Sequence, residues 1–273
     1  MRPDPRRACL GTGILIKAHI IILMVAISSS PFATISSRNM DKKCCKLFPS
    51  IAIRQNEKLL STIPLLPLNC SFGIVTSNQD HIRLRELAIG QAKAKKCAAT
   101  VVFVVRHPGC PLCREHALQL TELASVEDIG LVGVVKERGV NDKALLEFYT
   151  QYFKFPIFQD EHWKIYKAMG GRTLCAFGAV KAFISAKFRL STKKIGTEMK
   201  CGEAWIQGGL LIYDRRGHLR YSYDEEAGVE LDLEAVRTAI QEIRRSRPKI
   251  KDVETASLPS LSTSSISDTS SSS

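Results

Sequence analysis

The chain has 273 residues, 45% of them hydrophobic and 24% charged, which is ample for a buried core and excludes collagen-like or wholly disordered classes. Nine cysteines are too few for a disulfide-stapled mini-scaffold, and an odd number cannot all pair within the chain. The net charge of +12 is uneven: residues 1–97 hold 15 Lys and Arg against 5 Asp and Glu, residues 98–273 hold 24 against 22. A near-neutral domain behind a basic leader argues against nucleic acid as a partner and for a targeting segment.

In chain order, residues 1–30 read as a signal peptide or signal anchor. Arg2, Arg6, Arg7 and Lys17 precede the apolar run Ile20–Ile27, and Ser28–Ser30 supply small residues for cleavage. Eight residues rise only about 12 Å as a helix, short of a bilayer core of about 30 Å. Any membrane contact is therefore expected only through this segment, if uncleaved. Residues 31–70 have the Ser-, Lys- and Arg-rich, acid-poor composition of a transit peptide, and Cys44-Cys45 within them are given no catalytic role. The two together resemble a bipartite leader for plastids of secondary origin; the alternative is the ordinary secretory pathway.

Residues 71–250 are expected to fold. Residues 82–96 suit a helix, and Ala98–Val105 is a β-branched run suited to a strand buried on both faces. A helix follows over 111–127, then a strand at Leu131–Val135. Asn141-Asp142 can cap a helix running to about Tyr152. Pro156–Phe158 is extended, and Glu161–Met169 is helical up to Gly170-Gly171. Residues 172–203, with seven Lys and Arg and two Glu, read as a basic insertion with a partial helix near Ala176–Phe188 and an ordinary solvated face. Gly209–Tyr213 and Leu219–Tyr223 flank Asp214–Gly217 as a hairpin, before an amphipathic helix over Leu231–Ile243. This order predicts an α/β fold: a thioredoxin-like sheet with helices on both faces and the basic insertion ahead of the C-terminal hairpin. Residues 251–273, with 10 Ser, are expected to be disordered.

The chemistry concentrates in Arg106-His107-Pro108-Gly109-Cys110-Pro111-Leu112-Cys113-Arg114, between a buried strand and a helix. Pro111 suits the first helical position, which puts Cys110 at or near the N-cap, where the helix dipole and free N–H groups favour a thiolate. Arg106, His107 and Arg114 add positive charge, and the two-residue spacer lets Cys113 close on Cys110. A second possibility is zinc, because His107, Cys110, Cys113 and His116 fall every three residues; separated ligand pairs are the usual pattern, and His116 reads as a solvated position. Cys97, Cys175 and Cys201 read as ordinary small residues, although Cys175 or Cys201 would be placed to resolve an intermediate if the insertion folds over the site.

RHPGCPLCREHALQL, VVKERG, FPIFQDEHWKIYKAMGG and QGGLLIYDRRG occur in an order that resembles the peroxiredoxin-like 2 family of the AhpC/TSA antioxidant group, from about Arg83 to Ile243. The resemblance implies a thioredoxin-like fold and a redox-active Cys-x-x-Cys carried by Cys110 and Cys113. Against the P-x-x-x-[ST]-x-x-C pattern of typical peroxiredoxins, Arg106 stands at the Pro position and Cys110 at the Ser/Thr position. Gln207-Gly208 stand where thioredoxins carry a cis-proline. The expected function is a thiol-dependent oxidoreductase that reduces a peroxide or endoperoxide. Cys110 attacks from an exposed helix start, Cys113 resolves, Arg106 stabilises the thiolate, and a thioredoxin-type donor supplies electrons. The opposite polarity, with Cys113 attacking first, stays open. No nucleotide-binding motif is present, and no cofactor or metal is expected. Two alternatives are a prostamide/prostaglandin F synthase-like reductase and a non-enzymatic interaction module whose basic insertion binds a membrane or partner.

Overall fold

The computed structural model describes residues 56–246, apart from 71–73, 78–79 and 200–201. The expectations for residues 1–55 of the leader, the serine-rich tail and Cys201 lie outside the described residues. Strand β4 (Ala99–Val104) is buried at all six positions because it lies between two helical layers. Val101 and Phe103 point into one core, Val102 and Val104 into the other. To one side β4 pairs in parallel with β5 (Ile129–Val135), which pairs in parallel with β6 (Ile157–Gln159). To the other side it pairs antiparallel with β7 (Gly209–Asp214), followed by β8 (Leu219–Asp224). β1 (Pro64–Asn69) joins β6 antiparallel, with β2 (Thr76–Ser77) and β3 (Ile82–Arg83) on β1. The sheet runs β2-β1-β6-β5-β4-β7-β8.

Helices cover both faces. α1 (Leu84–Ala94) and α4 (Lys164–Ala168) pack on one core, built around Leu84, Leu87, Ile165 and Tyr166. α2 (Pro111–Val126), α3 (Asp142–Glu147), α5 (Ala176–Thr192) and α6 (Leu233–Arg245) contribute to the other, around Leu120, Leu145, Ala186 and Ile240. α3 passes into a π-helical turn, Phe148–Tyr152, that places Phe148 beside the fully buried Phe153. The fold is α/β and thioredoxin-like: β4, α2 and β5 bear the cysteine pair, and the β7–β8 hairpin with α6 completes the layer. Among the described residues no helix is long and apolar enough to cross a membrane.

Three expectations are corrected. The folded unit does not begin at residue 71. Residues 56–61 are helical, Leu60, Ile63 and Leu65 are buried, and Glu57 accepts from the backbone N–H of Leu219 at 3.1 Å. Pro64 and Pro67 hid β1, because proline within a run argues against a strand. The helix expected from Glu161 starts at Lys164, because Trp163 adopts the left-handed conformation, φ 55°. The basic insertion is more than a solvated face, although Arg172, Lys187, Lys193 and Lys194 are exposed. α5 packs on α2, and the chain after it, residues 193–199 and 202–208, crosses the cysteine loop as a strap bridged at Ile206 to Thr173. Asn141 caps α3 as expected, its side chain accepting from the N–H of Ala144.

Candidate active site

β4 ends one residue before Val105, whose N–H still bonds to Val134. A tight turn follows: the N–H of Cys110 donates to the carbonyl of His107 at 3.0 Å, and the N–H of Gly109 to His107 Nδ1 at 3.0 Å. Pro111 then opens α2 with Cys110 at its N-cap, and the first helical bond runs from Arg114 N–H to the Cys110 carbonyl. Cys110 is not at an exposed helix start, as sequence reasoning expects. It is 3% exposed and Cys113 0%. The strap covers them, with the N–H of Glu198 donating to the carbonyl of Gly109 at 3.0 Å and Asn141 holding the Glu198 carbonyl at 2.8 Å.

Beneath the strap, the guanidinium of Arg106 donates from Nη2 to Cys110 Sγ at 3.0 Å. The Cys113 thiol bonds to the same sulfur. That bond, together with the charge of Arg106, holds Cys110 well below the usual thiol range, although burial and Glu225 oppose it. The thiol of Cys113 is pushed well up, by its bond to Cys110, by burial and by the neighbouring negative charge. Both cysteines are free thiols in this structure. The pair is thus split into one acidic and one reluctant thiol.

Glu225 is a residue that sequence reasoning missed. It follows β8, is 3% exposed, and lies 3.3 Å from Arg106 Nη2. Its Oε2 accepts from the N–H of Gly208 at 3.1 Å, and its own N–H returns to the Gly208 carbonyl. A side chain at position 208 would put Cβ 1.9 Å from the Val104 carbonyl, so the chain needs glycine there. No local motif marks Glu225; only the hairpin register brings it under Arg106.

Other residues singled out by sequence do different work. Arg114 is fully buried and turned away from Cys110. It forks onto Glu147 at 2.9 and 3.0 Å, donates to the carbonyls of Pro108 and Gly196, and lies over the Tyr152 ring. Its charge is therefore compensated by Glu147. His116 is buried rather than solvated, 3.3 Å from the Val229 carbonyl. The described residues hold no group of three or more side chains suited to a metal ion. Cys97 is buried and donates to the Ala99 carbonyl; Cys175 is exposed at the N-cap of α5, where its sulfur accepts from the N–H of Gly178. Cys70 is buried, and burial pushes its thiol up to about 11.

A family model described as "AhpC/TSA antioxidant enzyme" matches residues 117–227, beginning just after the cysteine pair. Peroxiredoxin-like 2A of Xenopus tropicalis is 34% identical over 152 residues, 54% of this chain and 65% of that protein. Peroxiredoxin-like 2A of Mus musculus is 30% identical over 54% of this chain and 68% of its own length. The chain belongs to the peroxiredoxin-like 2 family. Another relative, from Salmo salar, is named prostamide/prostaglandin F synthase and is 28% identical over 51% of this chain and 73% of that protein. The chain spans about two thirds of the length of the Xenopus tropicalis relative, 65%.

In this peroxiredoxin-like chain the cysteine loop opens on a small cleft lined by Arg106, His107, Pro108, Lys136, Asn141 and Glu203 among others. Its volume of about 20 Å³ holds a water or two. Lys136 is 4% exposed, paired with Glu203 of the strap at 2.5 Å, and bonded to the Ile206 carbonyl at 3.1 Å. Lys136 lies in the VVKERG segment that carries the resemblance, which assigns it no role, and Glu203 stands in no recognisable motif.

Proposed function

We propose that the protein is a thiol-dependent oxidoreductase that reduces a peroxide through Cys110 and Cys113. The observation carrying this reading is the 3.0 Å contact from the buried Arg106 guanidinium to Cys110 Sγ, at the start of the helix that also bears Cys113. The Cys110 thiolate attacks the peroxide oxygen and becomes a sulfenic acid. Cys113 then attacks that sulfur, releasing water and closing a disulfide. Arg106 stabilises the thiolate, and a thioredoxin-type donor restores both thiols. A second reading, reduction of an endoperoxide, is supported by the name of the Salmo salar relative.

The test is mass spectrometry of the full chain after one equivalent of hydrogen peroxide. The expected product is a Cys110–Cys113 disulfide, with a sulfenic acid trapped on Cys110 in C113S. A sulfenic acid trapped on Cys113 in C110S, with Cys110 unreactive in C113S, reverses the roles. No oxidation at either cysteine, with the fold intact, refutes the enzyme and leaves an interaction module.

We also propose that the leader directs the chain through the secretory route to a complex plastid. A fluorescent fusion of residues 1–55 expressed in an alga with such plastids is expected to light the plastid, and cytosolic fluorescence overturns the proposal.

A further inference from the structure

Arg106 has a counterpart on the neighbouring strand. β4 and β5 are parallel, and their last registered pair is Val104 with Val134. Arg106 and Lys136 each stand two residues beyond it, at the carboxyl ends of adjacent parallel strands, where α/β folds gather ligands. Both line the cleft beside the cysteine loop. Arg106 reaches the Cys110 sulfur; Lys136 reaches no sulfur but is buried, and lysine is rarely buried without a reason. Among the described residues its carboxylate partner is Glu203, on the strap that covers the site. The face of Tyr166 lies 5.1 Å from its Nζ.

We infer that Lys136 is the proton donor to the oxygen that leaves when the Cys110 thiolate breaks a peroxide O–O bond. This rests on the proposed thiol chemistry and assigns that chemistry a residue it lacks. The Cys110 sulfur takes the terminal oxygen and is oxidised by two electrons to the sulfenic acid. The S–O bond forms as the O–O bond breaks, and the remaining oxygen departs with the electron pair. An alkoxide or hydroxide is a poor leaving group at neutral pH unless it is protonated. Arg106 cannot supply that proton, because a guanidinium does not deprotonate in proteins. The Lys136 ammonium gives one proton to the departing oxygen, yielding alcohol or water, and the resulting amine is reprotonated from solvent. Burial moves Lys136 toward easier proton loss, against the pull of Glu203, Glu137 and Cys113; Arg106 and His107 are the other groups lining its cleft. Glu203 holds the ammonium in the closed state, and movement of the strap releases it to substrate.

Leaving-group chemistry separates this role from a structural one. Attack on peracetic acid expels acetate, which needs no proton; attack on tert-butyl hydroperoxide expels an alkoxide, which does. In the full chain, the single-turnover rate of Cys110 oxidation is read by stopped flow with each oxidant. K136M should lose about a hundredfold with tert-butyl hydroperoxide, within the range of general acid catalysis, and keep its rate with peracetic acid within about twofold. K136M/E203Q, which removes the facing carboxylate as well, should behave in the same way if K136M folds poorly. Equal losses with both oxidants, or none with either, overturn the inference while the thiol chemistry stands. Failure of the unmodified protein to react with either oxidant overturns the proposed function and this inference with it.

Discussion

Arg189 holds Glu115 with two nitrogens of its guanidinium, Nε at 2.6 Å and Nη2 at 2.8 Å from the two carboxylate oxygens. Glu115 is fully buried two residues after Cys113, and Lys193 adds a third contact at 2.9 Å. The preceding residue, Arg114, reaches the other way, to Glu147 and to the carbonyl of Gly196 on the strap. Two adjacent residues of α2 thus tie the helix that bears the cysteines to α3, to α5 and to the strap.

Glu115→Gln keeps the shape and removes the charge. Breaking a fully buried pair costs about 3–5 kcal/mol. Arg189 and Lys193 are 24% and 38% exposed, so solvent screens part of the loss and about 2 kcal/mol is expected by urea denaturation. Burial works against the Glu115 carboxylate, but the bonds from Arg189 and Lys193 outweigh it and lower its pKa. With the folded pKa below the unfolded value of about 4.3, the stabilisation is complete above that pH and is lost as pH falls through the folded pKa. The difference in stability between the native chain and E115Q should therefore shrink in acid. A gap that persists unchanged to pH 2 would show that charge is not its origin.

Arg106→Met tests the thiolate, but the structure changes what the variant does. Arg106 is 3% exposed and faces Glu225 at 3.3 Å, so it is no surface ion pair. Removing it alone leaves a buried carboxylate uncompensated, and a loss of about 3 kcal/mol is expected. R106M/E225Q removes both charges and should recover most of that stability. It should not recover the acidity of Cys110 in full, because the contact at 3.0 Å is gone. Titration of the thiolate at 240 nm, alongside thermal unfolding of both variants, separates the effects. A Cys110 titration unchanged in R106M would remove Arg106 from the site.

The legible part of this protein is the part whose signals are local. A β-branched run marks β4, Pro111 fixes the start of α2, and Asn141 caps α3 as its residue type predicts. Cys110, Cys113 and Arg106 fall within eight residues, so one turn brings them together in the fold as in the sequence. Glu225, Lys136 and Glu203 are distant in sequence, and only strand register and the path of the strap deliver them. The insertion is misleading only in part: Lys187 and Lys194 are exposed, as their charges suggest. Arg189 and Lys193 in fact answer the buried Glu115, 74 and 78 residues away. β1 was hidden by its two prolines, within a stretch whose basic composition suggested a leader.

Removing the Cys113 donor should raise the pKa of Cys110. Its hydrogen bond is the largest influence holding Cys110 low, ahead of the charge of Arg106. Hydrogen bonds to charged groups contribute about 1.5–3 kcal/mol, or about one to two pKa units. C113A should therefore shift the acid limb of Cys110 reactivity upward by that amount, toward the ordinary thiol value of about 8.5. In the native chain Cys110 reactivity should be flat near neutral pH and fall only in acid, as the thiolate is protonated. An acid limb in the same place in both proteins would assign Cys110's acidity to Arg106 and the helix terminus alone.

Gly109→Ala bears on the strap. A Cβ at position 109 would sit 2.3 Å from the Glu198 carbonyl oxygen, a backbone atom that cannot rotate away. Either the loop or the strap must move, and the strap is the piece held mainly by polar contacts: Arg114 to Gly196, Asn141 to Glu198, and Lys136 to Glu203. The variant should therefore lift the strap and expose Cys110, at a cost of about 1–3 kcal/mol typical of overpacking. Iodoacetamide alkylation of Cys110, followed by peptide mapping at neutral pH, should speed severalfold. Cys175, exposed at the N-cap of α5, serves as the internal standard and should react at the same rate in both proteins. If Cys110 reacts no faster in G109A while Cys175 is unchanged, the strap does not control access to the thiolate, and another route must lead to it.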